Sequence, residues 1–214
     1  MMFAAGPAQA ATLTVDRPCF RFSDPPADIT LKGSGYTPGA LVLLSSGNGT
    51  IGNAIAKPDG TISTKFPIPA PPDKGRYAHE KSLTFKAVEG DNTGEVTFSS
   101  AEVFGDYNPG SGNPATLKVR FSAFGFGIGT PAGQPMPTVF VHYVNPRGKL
   151  KQTISLGRGS GACGSIQKTS LRKLFPFKLT RGKWTLQFDT RKNYTPGKST
   201  SSFLFDRGLT LTIS

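Results

Sequence analysis

The sequence is poor in the residues on which most metal, redox and nucleophilic sites depend. Only two cysteines and two histidines occur among 214 residues. No second Cys or His lies at C-x-x-C or H-x-x-x-H spacing, which excludes the common metal-ligand clusters. A G-x-S-x-G nucleophile elbow is also absent, because Arg158 stands where the first glycine before Ser160 is needed. We therefore predict neither a cofactor nor a metal site.

Long apolar runs are also missing. No stretch approaches the roughly 20 apolar residues of a membrane helix, so we predict no transmembrane segment. Residues 1–10 end in Ala8-Gln9-Ala10, the small-residue pattern that closes a secretory signal peptide. We interpret residues 1–10 as the remnant of such a signal; the alternative is a disordered Ala-rich N-terminus. The expected location is extracellular or associated with the cell envelope.

What the sequence has in excess is glycine and proline. The 26 Gly and 18 Pro work against long helices, whereas 16 Phe argue against wholesale disorder. Apolar and polar residues alternate along many segments, for example 83–87 and 184–188, as in half-buried strands. The sequence predicts an all-β protein in which Ser165–Leu174 is the one plausible helix.

The two halves of the chain repeat the same order of segments. A Pro-rich loop, a strand and a Gly-aromatic loop are followed in each half by an apolar strand (41–44 and 139–144). Further on, 81–85 aligns with 182–186. Short strands with frequent turn signals are typical of immunoglobulin-like sandwiches. We predict two tandem immunoglobulin-like β-sandwiches from an internal duplication, module 1 at residues 11–99 and module 2 at residues 100–214.

Turn and core motifs in both halves carry a resemblance to a known family. The chain resembles exported actinobacterial-type proteins of two immunoglobulin-like modules, which have no assigned activity. The resemblance implies the fold and export, and it implies no catalytic residue. The motifs are Arg17-Pro18-Cys19, Gly33-Ser34-Gly35-Tyr36-Thr37-Pro38-Gly39, Pro58-Asp59-Gly60, His142-Tyr143, Leu156-Gly157, Cys163-Gly164, Gly182-Lys183-Trp184-Thr185 and Phe188-Asp189.

Cys19 and Cys163 are the two cysteines of the chain. Outside the cytosol two cysteines form a natural pair, so we predict a disulfide between them. The alternative is two separately buried thiols that act as small hydrophobic side chains. The resemblance implies one cysteine per module, so that a disulfide would join the two modules.

The positive charge is concentrated in one part of the chain. The formal net charge is +12, yet residues 11–100 carry nine Lys/Arg against nine Asp/Glu. Residues 147–198 carry thirteen Lys/Arg and one acid, Asp189. We predict a polyanion-binding surface in module 2, formed by Arg147, Lys149, Lys151, Arg158, Arg172, Lys173, Lys178, Arg181 and Lys183. The alternative interpretation of these charges is a solvated basic face that favours solubility.

Three functions remain open from the sequence. The first is non-catalytic binding of an anionic envelope or extracellular polymer; no motif indicates sequence-specific recognition of nucleic acid. The second is a structural or adhesive protein that recognises a protein partner through loops such as Gly125 to Pro137. The third is a hydrolase that uses Cys163 or His142.

One glycine-rich stretch matches the residue pattern of a dinucleotide-binding motif without the structural context that the motif needs. Residues 159–164 match G-x-G-x-x-G, but that motif functions within a βαβ unit. We interpret the glycines as a turn.

Overall fold

The computed structural model describes residues 10–23, 25–47, 49–70, 79–131, 133–196 and 209–213. The described residues fall into two compact units, residues 10–70 with 81–100 and residues 79–80 with 101–213. Regular structure in this part of the chain consists of β-strands joined by turns, with no helix. The predicted all-β class is confirmed. The described residues thus contain no helical segment that could span a membrane.

The first unit is a sandwich of two sheets. Leu31 and Ile62 from the three-stranded sheet β1-β3-β6 pack against Val42 and Phe85 from the five-stranded sheet β2-β8-β7-β4-β5 in one apolar core. The pairs β1–β3, β3–β6, β4–β5 and β4–β7 are antiparallel. Its strands are β1 Thr12–Val15, β2 Cys19–Arg21, β3 Asp28–Ser34, β4 Leu41–Ser46, β5 Gly49–Ile55, β6 Ile62–Pro67, β7 Glu80–Glu89 and β8 Asn92–Ala101.

The second unit is also a two-sheet sandwich. Phe121 of the three-stranded sheet β13-β10-β9 lies in one core with Tyr143, Trp184 and Phe188 of the four-stranded sheet β12-β11-β14-β15. Its strands are β9 Phe104–Asn108, β10 Lys118–Phe124, β11 Thr138–Val144, β12 Leu150–Arg158, β13 Arg172–Lys173, β14 Gly182–Asp189 and β15 Leu209–Ile213.

Apart from β2, the strand orders of the two units correspond. The order β1-β3-β6 matches β9-β10-β13, and β5-β4-β7-β8 matches β12-β11-β14-β15; β2 is an additional strand of the first unit. A three-stranded sheet packed on a four-stranded core sheet is an immunoglobulin-like arrangement. The same correspondence is expected of an internal duplication, which stays a prediction, as do the predicted module boundaries.

The predicted helix at Ser165–Leu174 is wrong. The segment runs alongside β10 in extended form, where the Ile166 amide donates to the Ala123 carbonyl and the Leu174 amide to the Leu117 carbonyl. The segment ends in the two-residue strand β13, paired with β10. Sheet hydrogen bonds with β10 therefore satisfy amides that a helix would have used internally.

Candidate functional site

The strand register of the second unit brings part of its positive charge to one end. In the four-stranded sheet, Val144 lies opposite Leu150 of β12 and Thr185 of β14. The turn between β11 and β12, the start of β12 and the start of β14 therefore lie at the same end of this sheet. We call it the turn end.

Five of the predicted binding residues lie at the turn end. Arg147 and Lys149 belong to the β11–β12 turn, and Lys151 is the second residue of β12. Arg181 directly precedes β14, and Lys183 is its second residue. All five side chains are exposed. Together these five residues are called the basic end below.

The other four predicted residues are placed differently. Arg158 lies opposite Thr138 at the far end of β12, about 26 Å along the strand from its first residue at roughly 3.3 Å per residue. Arg172 is half-buried, and its Nη1 donates to the Ser155 carbonyl at 3.0 Å, which ties β13 to β12. Lys178 is exposed in the loop before β14. The fold therefore separates Arg158 from the basic end and engages Arg172 in a hydrogen bond within the unit.

Lys173 has a basic neighbour, Lys118, that its position in the sequence does not indicate. The antiparallel register places Lys118 of β10 directly opposite Lys173, and both side chains are exposed. Like charges directly opposite each other destabilise a strand pair, so a bound anion would relieve this repulsion. The carbonyl of Leu174, the residue that follows Lys173, accepts a hydrogen bond from the Tyr143 hydroxyl at 2.7 Å. Tyr143 precedes Val144 at the turn end, so the lysine pair lies on the side of the turn end.

Two acidic side chains of the second unit, Asp189 and Glu102, lie away from the basic end. Asp189 is fully buried opposite Phe140, near the far end of β11, and accepts the Arg191 amide at 2.9 Å. Glu102 precedes β9 at the far end of the three-stranded sheet and contacts His79 Nδ1 at 2.9 Å. Within the described residues the basic end holds no acidic side chain. This separation of charge creates a positive field at one end of the unit.

None of the nine predicted cations takes part in an ion pair within the described residues. The salt bridges there join Arg17 to Asp16, Lys86 to Glu95, Arg191 to Asp189, and His79 to Glu102. An exposed cation without an intramolecular partner keeps its charge available for an external anion. The five cations of the basic end thus form no salt bridge within the described residues and can pair with an external anion.

A cleft of about 290 Å³ lies at the basic end. Its walls are the β11–β12 turn, with Asn145, Pro146 and Arg147, and the segment before β14, with Thr180 and Arg181. The volume is close to the lower limit of about 300 Å³ for a small-molecule pocket. It therefore suits one small polar group or one residue of a polymer.

The structure rules out Cys163 as a nucleophile. Cys19 and Cys163 are disulfide-bonded and both are buried, so the predicted disulfide is confirmed. A thiolate is required for nucleophilic attack, and a disulfide sulfur supplies none. The hydrolase hypothesis through Cys163 is wrong.

His142 is held as a structural residue. It is fully buried on β11, its Nε2 donates to the Arg191 carbonyl at 3.1 Å, and its Nδ1 accepts from the Thr153 hydroxyl at 2.8 Å. Burial lowers the pKa of His142 below its ordinary value. With both ring nitrogens engaged and no exposed surface, His142 has no free nitrogen to act as a general base on a substrate.

The glycine-rich stretch forms a tight turn, as predicted. Ser160 and Ser165 pair through two backbone hydrogen bonds of 2.8 and 2.9 Å. A Cβ on Gly164 would lie 2.6 Å from the backbone of Gly127, so the turn packs closely against the 125–137 loop. No βαβ unit surrounds it among the described residues.

The 125–137 loop is partly fixed by the same contact. Phe126 is buried in the core, and the Gly127 amide donates to the Cys163 carbonyl at 2.8 Å. Exposed positions begin at Gly129 and Pro131. The surface that this loop offers to a partner is smaller than its length indicates.

No protein-family model and no curated protein matches the chain. Solved structures give loose matches. A Salmonella alpha-2-macroglobulin mutant is 15% identical over 90% of this chain and 14% of that chain, with a TM-score of 0.30. A Corynebacterium diphtheriae protein described as membrane anchored is 14% identical over 86% of this chain and 54% of that one, with a TM-score of 0.36. The tandem repeats from the extending region of a large adhesion protein are 16% identical over 83% of this chain and 44% of that one, at 0.28.

The chain spans at most 54% of the lengths of these three structures. Matches this loose carry no argument about function. The immunoglobulin-like assignment accordingly rests on strand order and pairing, and the resemblance to exported actinobacterial-type proteins stays a prediction.

Proposed function

We propose that the chain is a non-catalytic, exported binding protein whose second unit contacts an anionic envelope or extracellular polymer through its basic end. The observation that supports this proposal is the position of five exposed cations at the turn end of one sheet, where no acidic side chain of the described residues lies. Of the remaining predicted cations, Lys173 lies on the same side in the three-stranded sheet, and Arg158 lies at the far end of β12.

Screening by salt makes the spacing between the cations important for binding. At physiological ionic strength the Debye length is about 8 Å, so charges on adjoining turns act on the same ligand, whereas Arg158, about 26 Å along the strand at roughly 3.3 Å per residue, is screened from it. A single exposed ion pair contributes at most about 1 kcal/mol. Useful affinity therefore requires several cations that engage one polymer together.

Retention of the full chain on immobilised heparin tests this proposal. Reversal of Arg147, Arg181 and Lys183 to Glu removes positive charge from the basic end. A matched control reverses three exposed lysines of the first unit, Lys32, Lys57 and Lys65, with the same change in formal charge. We expect the first variant to elute at much lower salt than the native chain and the control to elute close to it. Equal losses in both variants would show that only net charge matters.

The proposed export is supported by the chemistry of the cysteines. Structural disulfides persist mainly in oxidising compartments, and both cysteines are disulfide-bonded. The proposed signal-peptide remnant falls on residues 1–10, of which 1–9 lie outside the described residues. Intact mass of the native chain with and without alkylation of free thiols tests the disulfide on which this argument rests. We expect no alkylated cysteine, and an alkylated cysteine would contradict the argument.

A surface of the first unit favours an alternative function, recognition of a protein partner. Leu41, Leu43 and Ile55 are 52%, 47% and 61% exposed, and Leu41 lies opposite Ile55 across β4 and β5. The outer strand β5 carries neither charge nor proline, the residues that usually protect an edge strand. An extended segment of a partner would pair along such an edge.

A peptide-library selection on the full chain distinguishes this alternative. Extended apolar peptides should be enriched on the native chain and on the basic-end variant, and lost after substitution of Leu41 and Ile55 by Lys. Enrichment that survives the lysine substitutions contradicts strand addition at β5.

A further inference from the structure

We propose that the cleft between Arg147 and Arg181 is a preformed subsite for one tetrahedral oxyanion, a phosphate or sulfate group. The inference rests on the proposed function, since the group would be carried by the anionic polymer. It adds a point of chemical recognition to a surface that otherwise acts through charge alone.

The first wall of the cleft is fixed by the side chain of Asn145. Its Oδ1 accepts the amides of Arg147 at 2.9 Å and Lys149 at 3.0 Å. The Asn145 amide donates to the Lys149 carbonyl at 2.9 Å, and the Gly148 amide donates to the Asn145 carbonyl at 2.9 Å. The turn that carries Arg147 is therefore held in one conformation before any ligand arrives.

The second wall is anchored to the core. The indole Nε1 of buried Trp184 donates to the Thr180 carbonyl at 2.9 Å. Gly182 has a φ of +122°, and a Cβ at this position would lie 2.7 Å from Pro146. Only glycine allows the backbone at the start of β14 to approach the turn this closely. The contact sets the distance between the two arginine-bearing walls.

The two arginines that line the cleft are the donor type that suits a tetrahedral oxyanion. Each guanidinium presents a planar fork of N–H groups that pairs with two oxygens of a phosphate or carboxylate. A planar carboxylate has two oxygens and satisfies one fork, whereas a tetrahedral group has oxygens for two forks that approach from different walls. Two like charges around one cleft also repel each other until an anion lies between them.

Titration of the isotopically labelled full chain with inorganic phosphate tests the subsite, with amide and indole chemical shifts as the readout. Separate titrations with sulfate and acetate distinguish the chemistry. We expect saturable shifts at Arg147, Gly148, Arg181 and the Trp184 indole with phosphate or sulfate, and weaker binding of acetate. Shifts spread evenly over Arg158 and Lys173 would overturn the subsite.

Charge-conserving variants separate the subsite from general attraction. In the double variant Arg147→Lys with Arg181→Lys the formal charge is kept and the forks are lost, so phosphate affinity should fall about tenfold. The control Arg158→Lys should bind phosphate as the native chain does. An unchanged phosphate affinity in the double variant contradicts the inference.

Heparin retention of the same proteins distinguishes failure of this inference from failure of the proposed function. If the chain is retained and the double lysine variant binds phosphate like the native chain, the subsite is wrong and the proposed function stands. If phosphate binds at the cleft but the native chain is not retained, the polymer proposal is wrong and the subsite stands.

Discussion

Removal of two cations from the basic end should weaken the salt dependence of polyanion binding. The two substitutions are Arg147→Gln and Arg181→Gln, combined in the full chain. Both side chains are exposed and neither is in an ion pair within the described residues. The fold should therefore tolerate the change, which a thermal melt verifies.

The expected magnitude follows from counterion release. For single-stranded nucleic acid, each phosphate contact contributes about −0.7 to the slope of log affinity against log salt. Five cations at the basic end thus give a slope of about −3.5, and the three left in the variant give about −2.1. Between about 50 and about 200 mM salt the native affinity should fall about 130-fold, and that of the variant about 20-fold.

Fluorescence anisotropy with a short single-stranded oligothymidylate measures these slopes, since the probe carries regular phosphates and offers no sequence motif. Arg158→Gln serves as the control, because Arg158 lies at the far end of β12. We expect its slope to equal the native one. A control slope that falls as far as that of the Arg147/Arg181 variant, or a variant slope equal to the native one, would refute the grouping of the five cations.

Three further predictions concern the stability of the second unit and the disulfide. Tyr143→Phe leaves the buried Leu174 carbonyl without its 2.7 Å hydrogen bond and should lower the free energy of unfolding by about 1–3 kcal/mol in urea titrations. Burial lowers the pKa of His142 in the folded chain, so the unfolded chain takes up a proton at higher pH than the folded chain does. The free energy of unfolding should therefore decline as the pH falls below the ordinary value of 6.5. The variant His142→Asn should make the pH dependence of urea unfolding shallower. Reduction of Cys19–Cys163 should lower stability by at most about 5 kcal/mol, and a reductant-independent melting temperature would contradict this.

The strands were predictable where one face of a sheet is buried. Leu83, Phe85 and Ala87 on β7, and Trp184 and Leu186 on β14, are buried as the alternation indicated. Periodicity reports the burial of a half-exposed strand directly. The same signal determines the class of the fold and the approximate strand positions.

Neither the conformation of residues 165–174 nor the grouping of the cations was predictable. The local residues of 165–174 allow a helix, but β10 supplies sheet partners that appear only in the folded chain. The register, which depends on long-range pairing, sends Arg158 to the far end and brings Lys118 opposite Lys173. The cleft depends on a contact between Gly182 and Pro146, and no local pattern encodes it.

Chemical-shift mapping of the full chain with a short heparin oligosaccharide tests the proposed role of the basic end most directly. We predict that the largest amide shifts fall on Arg147, Lys149, Lys151, Arg181 and Lys183, and that they disappear together as salt is raised. Shifts centred on Arg158, or on the lysines of the first unit, would contradict it.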